Sequence, residues 1–276
     1  MKTDVFPVNY FKSIWTPISA FRHRHQLGWP GIVTVLFFLN ALLTIPVTLH
    51  YAQMDTFPLE RVYPKTAELM KQQPVDAFQA ASYKNGKMKM GEPFLYSEGD
   101  GVVGGGLNQE EAENILAEDT VILFEETHLL LKESGLPTST VSYTQNFSLE
   151  NTENGAGVVE EVSRQWFAQN KVFVVAFFSL LLSGFLFVML GLLVFGASVF
   201  LYLTKSSPLT SISTYKESVN LLLNLITLPT VAAMFAGLIR FDISWMLMLQ
   251  TFGLMILLLV LYAKTTFNDN KLTTAA

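Results

Sequence analysis

The chain has 276 residues, of which 50% are hydrophobic and only 15% charged, a membrane composition rather than that of a soluble enzyme. It contains no cysteine, which excludes disulfides, thiolate metal sites and cysteine nucleophiles. A net charge of −5 argues against nucleic-acid binding, which draws its affinity from basic patches on phosphates.

Residues 1–30 read as a cytoplasmic, basic, amphipathic leader. Phe11, Ile14, Trp15 and Ile18 fall at i, i+3, i+4 and i+7, one face of a helix, and Thr16-Pro17 supplies an N-cap and first-turn pair for a second short helix. A helix of this kind lies in the membrane interface, with Trp15 and Phe21 inserted and Arg22-His23-Arg24-His25 facing anionic headgroups. Trp15, Arg22 and Arg24 are therefore the candidate lipid or partner contacts.

Four stretches are apolar enough to cross a hydrocarbon core of roughly 30 Å, which takes about 20 helical residues. They are 31–51, 171–205, 219–239 and 243–263. The first is expected to be a retained anchor and not a signal peptide: its apolar run is long, and AQMDTFPLER after Tyr51 offers no small-x-small cleavage site. The second is free of charge from 172 to 204, about 50 Å of helix at 1.5 Å per residue. Either one long helix tilts or projects, or the chain breaks near Gly184, Gly191 or Gly196; the absence of a polar turn cluster favours one helix.

Orientation follows the basic residues. Lys2, Lys12, Arg22 and Arg24, then Lys205 and Lys216, then Lys264 and Lys271 all fall on one side if there are four crossings. Both termini, the 206–218 loop and the 264–276 tail are thus expected in the cytoplasm, and 52–170 outside.

That external segment is too long for a structureless loop, and it is acidic, with 19 Asp and Glu against 8 Lys and Arg. Asn85-Gly86 before Lys87-Met88-Lys89-Met90 signals a hairpin. Pro93–Tyr96, Thr120–Phe124 and Thr140–Tyr143 are strand candidates, and Asn108–Leu116 suits a helix start. A small α+β domain is expected. Glu98-Gly99-Asp100-Gly101 lacks the spaced oxygen ligands of a calcium loop, and Gly104-Gly105-Gly106 lacks the Lys-Ser/Thr of a phosphate loop. His128 has no second histidine in the segment with which to hold a metal.

Apart from Lys171 and Lys205 at the two ends of the second, the apolar stretches contain no Asp, Glu, Lys or Arg, the residues that mark ion and proton paths. Their polar residues are Asn40, Asn220, Asn224, Thr227, Thr230 and Gln250, each able to bond between helices. Pro229 interrupts the third stretch and should kink it, freeing a carbonyl near Leu225. Asn220, Asn224, Thr227, Pro229 and Thr230 are accordingly the candidate membrane polar site, with helix packing as the competing reading. No HExxH, GxSxG, Walker motif or membrane aspartate pair is present, so neither catalysis nor a cofactor is expected.

The leader YFKSIWTPISAFRHRHQLGW, the first-segment ending IPVTLHYA, the external KNGKMKMGEPFLY and LLNLITLPTVAA resemble the bacterial membrane proteins grouped as domain of unknown function 1189. The resemblance covers nearly the whole chain. Members of that group are often labelled maltodextrin-utilisation membrane proteins, because some are encoded with maltodextrin uptake genes in Gram-positive bacteria. The resemblance implies a multi-pass cell-membrane protein accessory to carbohydrate uptake, with sugar-permease or other membrane subunits as partners; it carries over no catalytic residue. This sequence departs from the group by its GVVGGG run and acidic external stretch.

The expectation is an α-helical integral membrane protein with four transmembrane helices and a small α+β extracytoplasmic domain between helices one and two, acting without catalysis through partners. The alternatives are a small oligomeric transporter or channel around the kinked third helix, and sugar recognition by Tyr83, Phe94, Tyr96, Tyr143 and Phe147.

Overall fold

A computed structural model describes residues 7–73, 76–79, 81–149, 152–208 and 210–272. In chain order the elements are α1 (Val8–Ser13), α2 (Pro17–Arg22), α3 (Trp29–Gln53), α4 (Pro64–Gln72), α5 (Asp76–Gln79), β1 (Ser82–Lys84), β2 (Lys87–Lys89), β3 (Phe94–Glu98) and β4 (Gly101–Gly105). They continue with α6 (Gln109–Ile115), β5 (Thr120–Phe124), β6 (His128–Glu133), β7 (Ser139–Ser142), α7 (Gly155–Gly191), α8 (Ala197–Leu203), α9 (Tyr215–Ile239) and α10 (Ile243–Thr265). The chain divides into two compact units, one of residues 1–52 and 175–276, the other of 53–174.

The first unit is helical. Four helical stretches are long and apolar enough to cross a membrane: Trp29–Gln53, Gly155–Ser206, Tyr215–Ile239 and Ile243–Thr265. The second of these runs without interruption for 52 residues and starts 16 residues before the expected 171 boundary. The early start has a physical cause: Val158, Val159, Val162, Trp166 and Phe167 recur at helical spacing and are buried, while Glu160 stays in water. No chain break occurs near Gly184, Gly191 or Gly196. A single π-helical turn, Leu192–Gly196, joins α7 to α8, and its Phe195 carbonyl accepts the Tyr215 hydroxyl at 3.0 Å.

Thr16 caps α2 by accepting the Ser19 amide at 3.1 Å, and Pro17 follows at the first position, as the sequence pattern dictates. α9 likewise starts at Thr214, which accepts from Glu217, and continues unbroken through Pro229. The proline ring lies against Gly253 of α10, where an added Cβ would come within 2.8 Å of it.

The second unit is a five-stranded sheet in the order β3-β4-β5-β6-β7, with β4 and β5 parallel and the other pairs antiparallel. The hairpin β1–β2 turns at Asn85 (φ 55°) and Gly86 (φ 73°), the left-handed pair that a tight hairpin demands. α6 opens on a capping box formed by Asn108 and Glu111. Val102, Val121 and Leu123 face α6 through Ile115 and Leu107. On the other face lies α4, whose first turn has no cap of its own; buried Glu133 of β6 reaches across to accept from the Thr66 amide at 3.1 Å.

GVVGG, excluded above as a ligand loop, is the buried strand β4, paired on both sides by β3 and β5. Its glycines make room for neighbours: a Cβ at Gly101 would meet Leu69 at 2.7 Å, one at Gly104 would meet Leu107 at 2.8 Å, and one at Gly105 would meet Phe94 at 2.6 Å. At the β7 edge, Gln169 of α7 accepts the Ser142 amide at 3.0 Å and donates to the Ser142 carbonyl, taking the place of a further strand.

Gly155, the first residue of α7, is seated against the backbone carbonyl of Lys71, which would collide with any side chain there. Gly155→Ala is expected to destabilise the sheet unit by about 1–3 kcal/mol, whereas Gly184→Ala, with nothing near its Cβ, leaves it unchanged. Thermal unfolding of the two variants in detergent checks the contrast.

Candidate functional site

Asn220, Asn224 and Thr227 stand at i, i+4 and i+7 on α9, one stripe of a helix. All three are buried, and each is spent on the leader. Asn220 Oδ1 accepts the Leu27 amide and its Nδ2 donates to the Leu27 carbonyl, both at 3.2 Å. Asn224 Nδ2 donates to the Ala20 carbonyl at 3.3 Å. Thr227 Oγ1 and the Tyr10 hydroxyl share a hydrogen bond, and Thr227 also donates to the Leu223 carbonyl at 2.9 Å.

The rest of the candidate polar set binds helices to each other. Thr230 accepts from Gln250 Nε2 of α10 at 2.8 Å and donates to the Ile226 carbonyl. In α3, Asn40 Nδ2 and Thr44 Oγ1 both donate to Ser183 Oγ of α7 at 2.9 Å. The structure therefore brings Asn220, Asn224 and Thr227 together as a seam, sets Thr230 on the α10 side with Gln250, and leaves Pro229 packed on Gly253.

The leader contacts separate. Trp15 is 69% exposed and Arg22 is exposed, so both are free to meet a lipid or a partner. Arg24 and Phe21 are not. Arg24 is 3% exposed, lies 4.1 Å above the Phe21 ring and forms a two-pronged ion pair with Asp269 at 2.8 and 3.0 Å. Its Nε is 3.9 Å from Glu217, whose carboxylate also accepts from the Ser213 amide and hydroxyl and lies 3.3 Å from His25. The expectation that Arg24 faces headgroups is corrected: a guanidinium flanked by two carboxylates is held inside. Phe21 packs on Phe267 in the same cluster.

Tyr10, Glu217 and Asp269 complete this site and were not among the sequence candidates. Glu217 was legible as an acid three residues past a threonine cap at the start of an apolar helix. Nothing local in the sequence pairs Asp269 with a residue 245 positions away.

In the sheet unit, a half-open cleft of about 1170 Å³ lies between β2 and α6, with Met88, Met90 and Leu123 on its floor and Lys89, Glu113 and Glu126 around it. The aromatics considered for sugar stacking do not line it. Tyr83, Tyr143 and Phe147 pack on one another with ring centroids 4.9–5.1 Å apart, and Phe94 packs on Phe78. No metal-holding group of His, Asp and Glu occurs among the described residues.

Two relatives align with this chain over nearly its whole length. One is "Maltodextrose utilization protein MalA" of Streptococcus pneumoniae, 27% identical over 266 residues, which are 96% of this chain and 97% of that protein. The other is "Putative maltodextrin utilization protein YvdJ" of Bacillus subtilis, 24% identical over 280 residues, 98% of this chain and 94% of that one. No family model and no solved structure matches the chain.

Removing the Asp269 carboxylate leaves Arg24 buried beside Glu217 alone. Asp269→Asn is expected to cost about 2–4 kcal/mol, with the exposure of Asp269 keeping it at the lower end, and Arg22→Ala near zero. Thermal melts in detergent compare them. Burial also raises the Tyr83 and Tyr143 phenols, so the folded sheet unit holds them neutral where the unfolded chain ionises them. Their stabilising effect is complete below about pH 10 and is lost as pH climbs beyond it; tyrosinate absorbance is expected to rise together with unfolding.

Proposed function

We propose that this chain is a multi-pass protein of the cytoplasmic membrane that supports maltodextrin use without catalysing a reaction, by contact with other membrane proteins such as sugar-permease subunits. The observation that carries the reading is end-to-end similarity to a protein named for maltodextrose utilisation, over 96% of this chain and 97% of that one. A second relative named for maltodextrin utilisation aligns over 98% of this chain. The same likeness, with the motifs quoted above, supports placing the chain in the group called domain of unknown function 1189.

Four apolar helices support insertion in the bilayer, and the clustering of lysine and arginine supports cytoplasmic termini with the sheet unit outside. The accessory role is favoured over transport by the state of the third helix. Asn220, Asn224 and Thr227 are engaged by the leader and Thr230 by Gln250, so the stripe that a translocation path would use is filled with protein.

Deleting the gene in its native host is expected to slow growth on maltodextrin and leave growth on glucose unchanged. Crosslinking of the tagged protein in cells, followed by mass spectrometry, is expected to recover sugar-permease subunits. Unchanged maltodextrin growth would sink the maltodextrin role, and recovery of this chain alone would return the transporter reading.

A further inference from the structure

The leader does not lie along the surface of the helical unit. It climbs alongside α9 in register: Leu27 is held by Asn220, Ala20 by Asn224 and Tyr10 by Thr227. The order is monotonic, each earlier leader residue meeting a later residue of α9. A second contact gives the same height independently, since the Phe11 ring meets Phe38 of α3 edge-on at 6.1 Å.

Those heights translate into depth. The charge-free part of α9, 219–239, spans about 30 Å at 1.5 Å per residue, one hydrocarbon thickness. Thr227 is eight residues from its start, about 12 Å in, and Phe38 is seven residues into the 31–51 stretch, about 10 Å in. We propose that residues 7–21, the helical hairpin formed by α1 and α2, are sunk into the inner leaflet of the bilayer, with Val8, Phe11 and Trp15 facing lipid acyl chains. The proposal rests on the membrane reading above and goes beyond it, because an interfacial helix would satisfy that reading equally.

The chemistry of the hairpin fits such a place. Backbone within hydrocarbon is tolerated only where its polar groups find partners inside the protein. At the ends of α1 and α2, side chains take up the carbonyls: Ser13 Oγ donates to Tyr10 at 2.6 Å, Ser19 Oγ to Lys12 at 3.0 Å, Asn224 to Ala20 and Arg24 to Phe21 at 3.0 Å. Beside exposed Lys12 and Thr16, the large outward side chains are apolar, with Val8 52%, Phe11 44% and Trp15 69% exposed, a costly display in water and a favourable one among acyl chains. Lys12 is the one charged residue from 7 to 21, and its apolar stem is long enough for an ammonium at this depth to reach the headgroups. Arg22 begins the polar stretch that remains at the boundary, with Arg24 locked to Asp269.

Because the chain has no cysteine, single cysteines report cleanly. Phe11→Cys and Trp15→Cys, each in the full chain in vesicles of phosphatidylglycerol and phosphatidylethanolamine, carry a nitroxide label whose relaxation by oxygen and by a water-soluble nickel chelate is measured. Ile256→Cys on α10, seven residues from the 263 end and so about 10 Å deep, is the same-level reference, and Ser206→Cys is the aqueous one. Phe11→Cys and Trp15→Cys are expected to match Ile256→Cys, with oxygen accessibility exceeding that of the chelate several-fold, and Ser206→Cys to show the reverse. A leader label in water or at the headgroups beside a deep Ile256→Cys overturns the hairpin while leaving the membrane reading intact. An Ile256→Cys label that is itself in water overturns both.

Discussion

A polar group removed from water must find a partner, and the helical unit depends on how α9 meets that demand. Unpaired, the amides of Asn220 and Asn224 would each cost on the order of 1–3 kcal/mol; Asn220 is paired through both its oxygen and its nitrogen, whereas Asn224 uses its Nδ2 and keeps a buried Oδ1 without a hydrogen bond. Through Leu27 and Ala20 they become the clamps that fix the leader, whose Tyr10, Ile14, Ala20, Phe21 and Leu27 are buried in the same cluster. The clamps act on backbone carbonyls and an amide, so they specify the path of the leader more than its side chains. Arg24 closes the lower end by drawing the tail in through Asp269, and the tail answers with Phe267 against Phe21. Three segments far apart in sequence thus meet around one guanidinium.

The sheet unit solves a different problem. A strand buried on both faces between other strands usually carries branched residues, yet β4 has glycine at three of its five positions. The missing side chains are supplied by neighbours: Leu69 of α4 fills the space above Gly101, Leu107 that at Gly104, and Phe94 with Met90 that at Gly105. Packing density is kept while bulk is moved from the strand to the elements around it. The buried Glu133 works in the same spirit, lending α4 the cap that its own first residues lack.

Much of this was legible from local pattern. The apolar runs placed the long helices to within a few residues at three of the four, and Asn85-Gly86, Asn108 with Glu111, and Thr16-Pro17 each announced the turn or cap that formed. The signals failed where the cause is not local. The start of α7 is polar enough to hide its helical period, because Gln165 and Gln169 serve as edge partners of the sheet and not as surface decoration. The GVVGGG run imitates a loop because glycine's lack of a side chain reads identically whether the chain turns or is crowded. Of the candidate site, the α9 stripe was visible as spacing, but its occupant was not: Tyr10 and Ala20 carry no mark of a partner some 200 residues away. Arg24 looked like its neighbour Arg22 for the same reason, since only the distant carboxylates distinguish them.

The π-helical turn at Leu192–Gly196 sets a phase for everything beyond it. Leu186, Leu190, Val194 and Ser198 are all fully buried and are spaced by four. In an uninterrupted α-helix such a row would drift by about 40° at each step and leave the packed side within three. The wider turn takes back that drift, so Ser198 and Leu201 remain against the bundle and the Phe195 carbonyl is released towards Tyr215. In effect the helix carries one residue more than its geometry needs. Loss of one residue between 192 and 196 would restore ideal winding and leave Ser198 and Leu201 on the packed side, whereas the same loss in the regular part of α7 would rotate everything beyond it by about 100°, so this turn is the place in the helix where a change of length is absorbed.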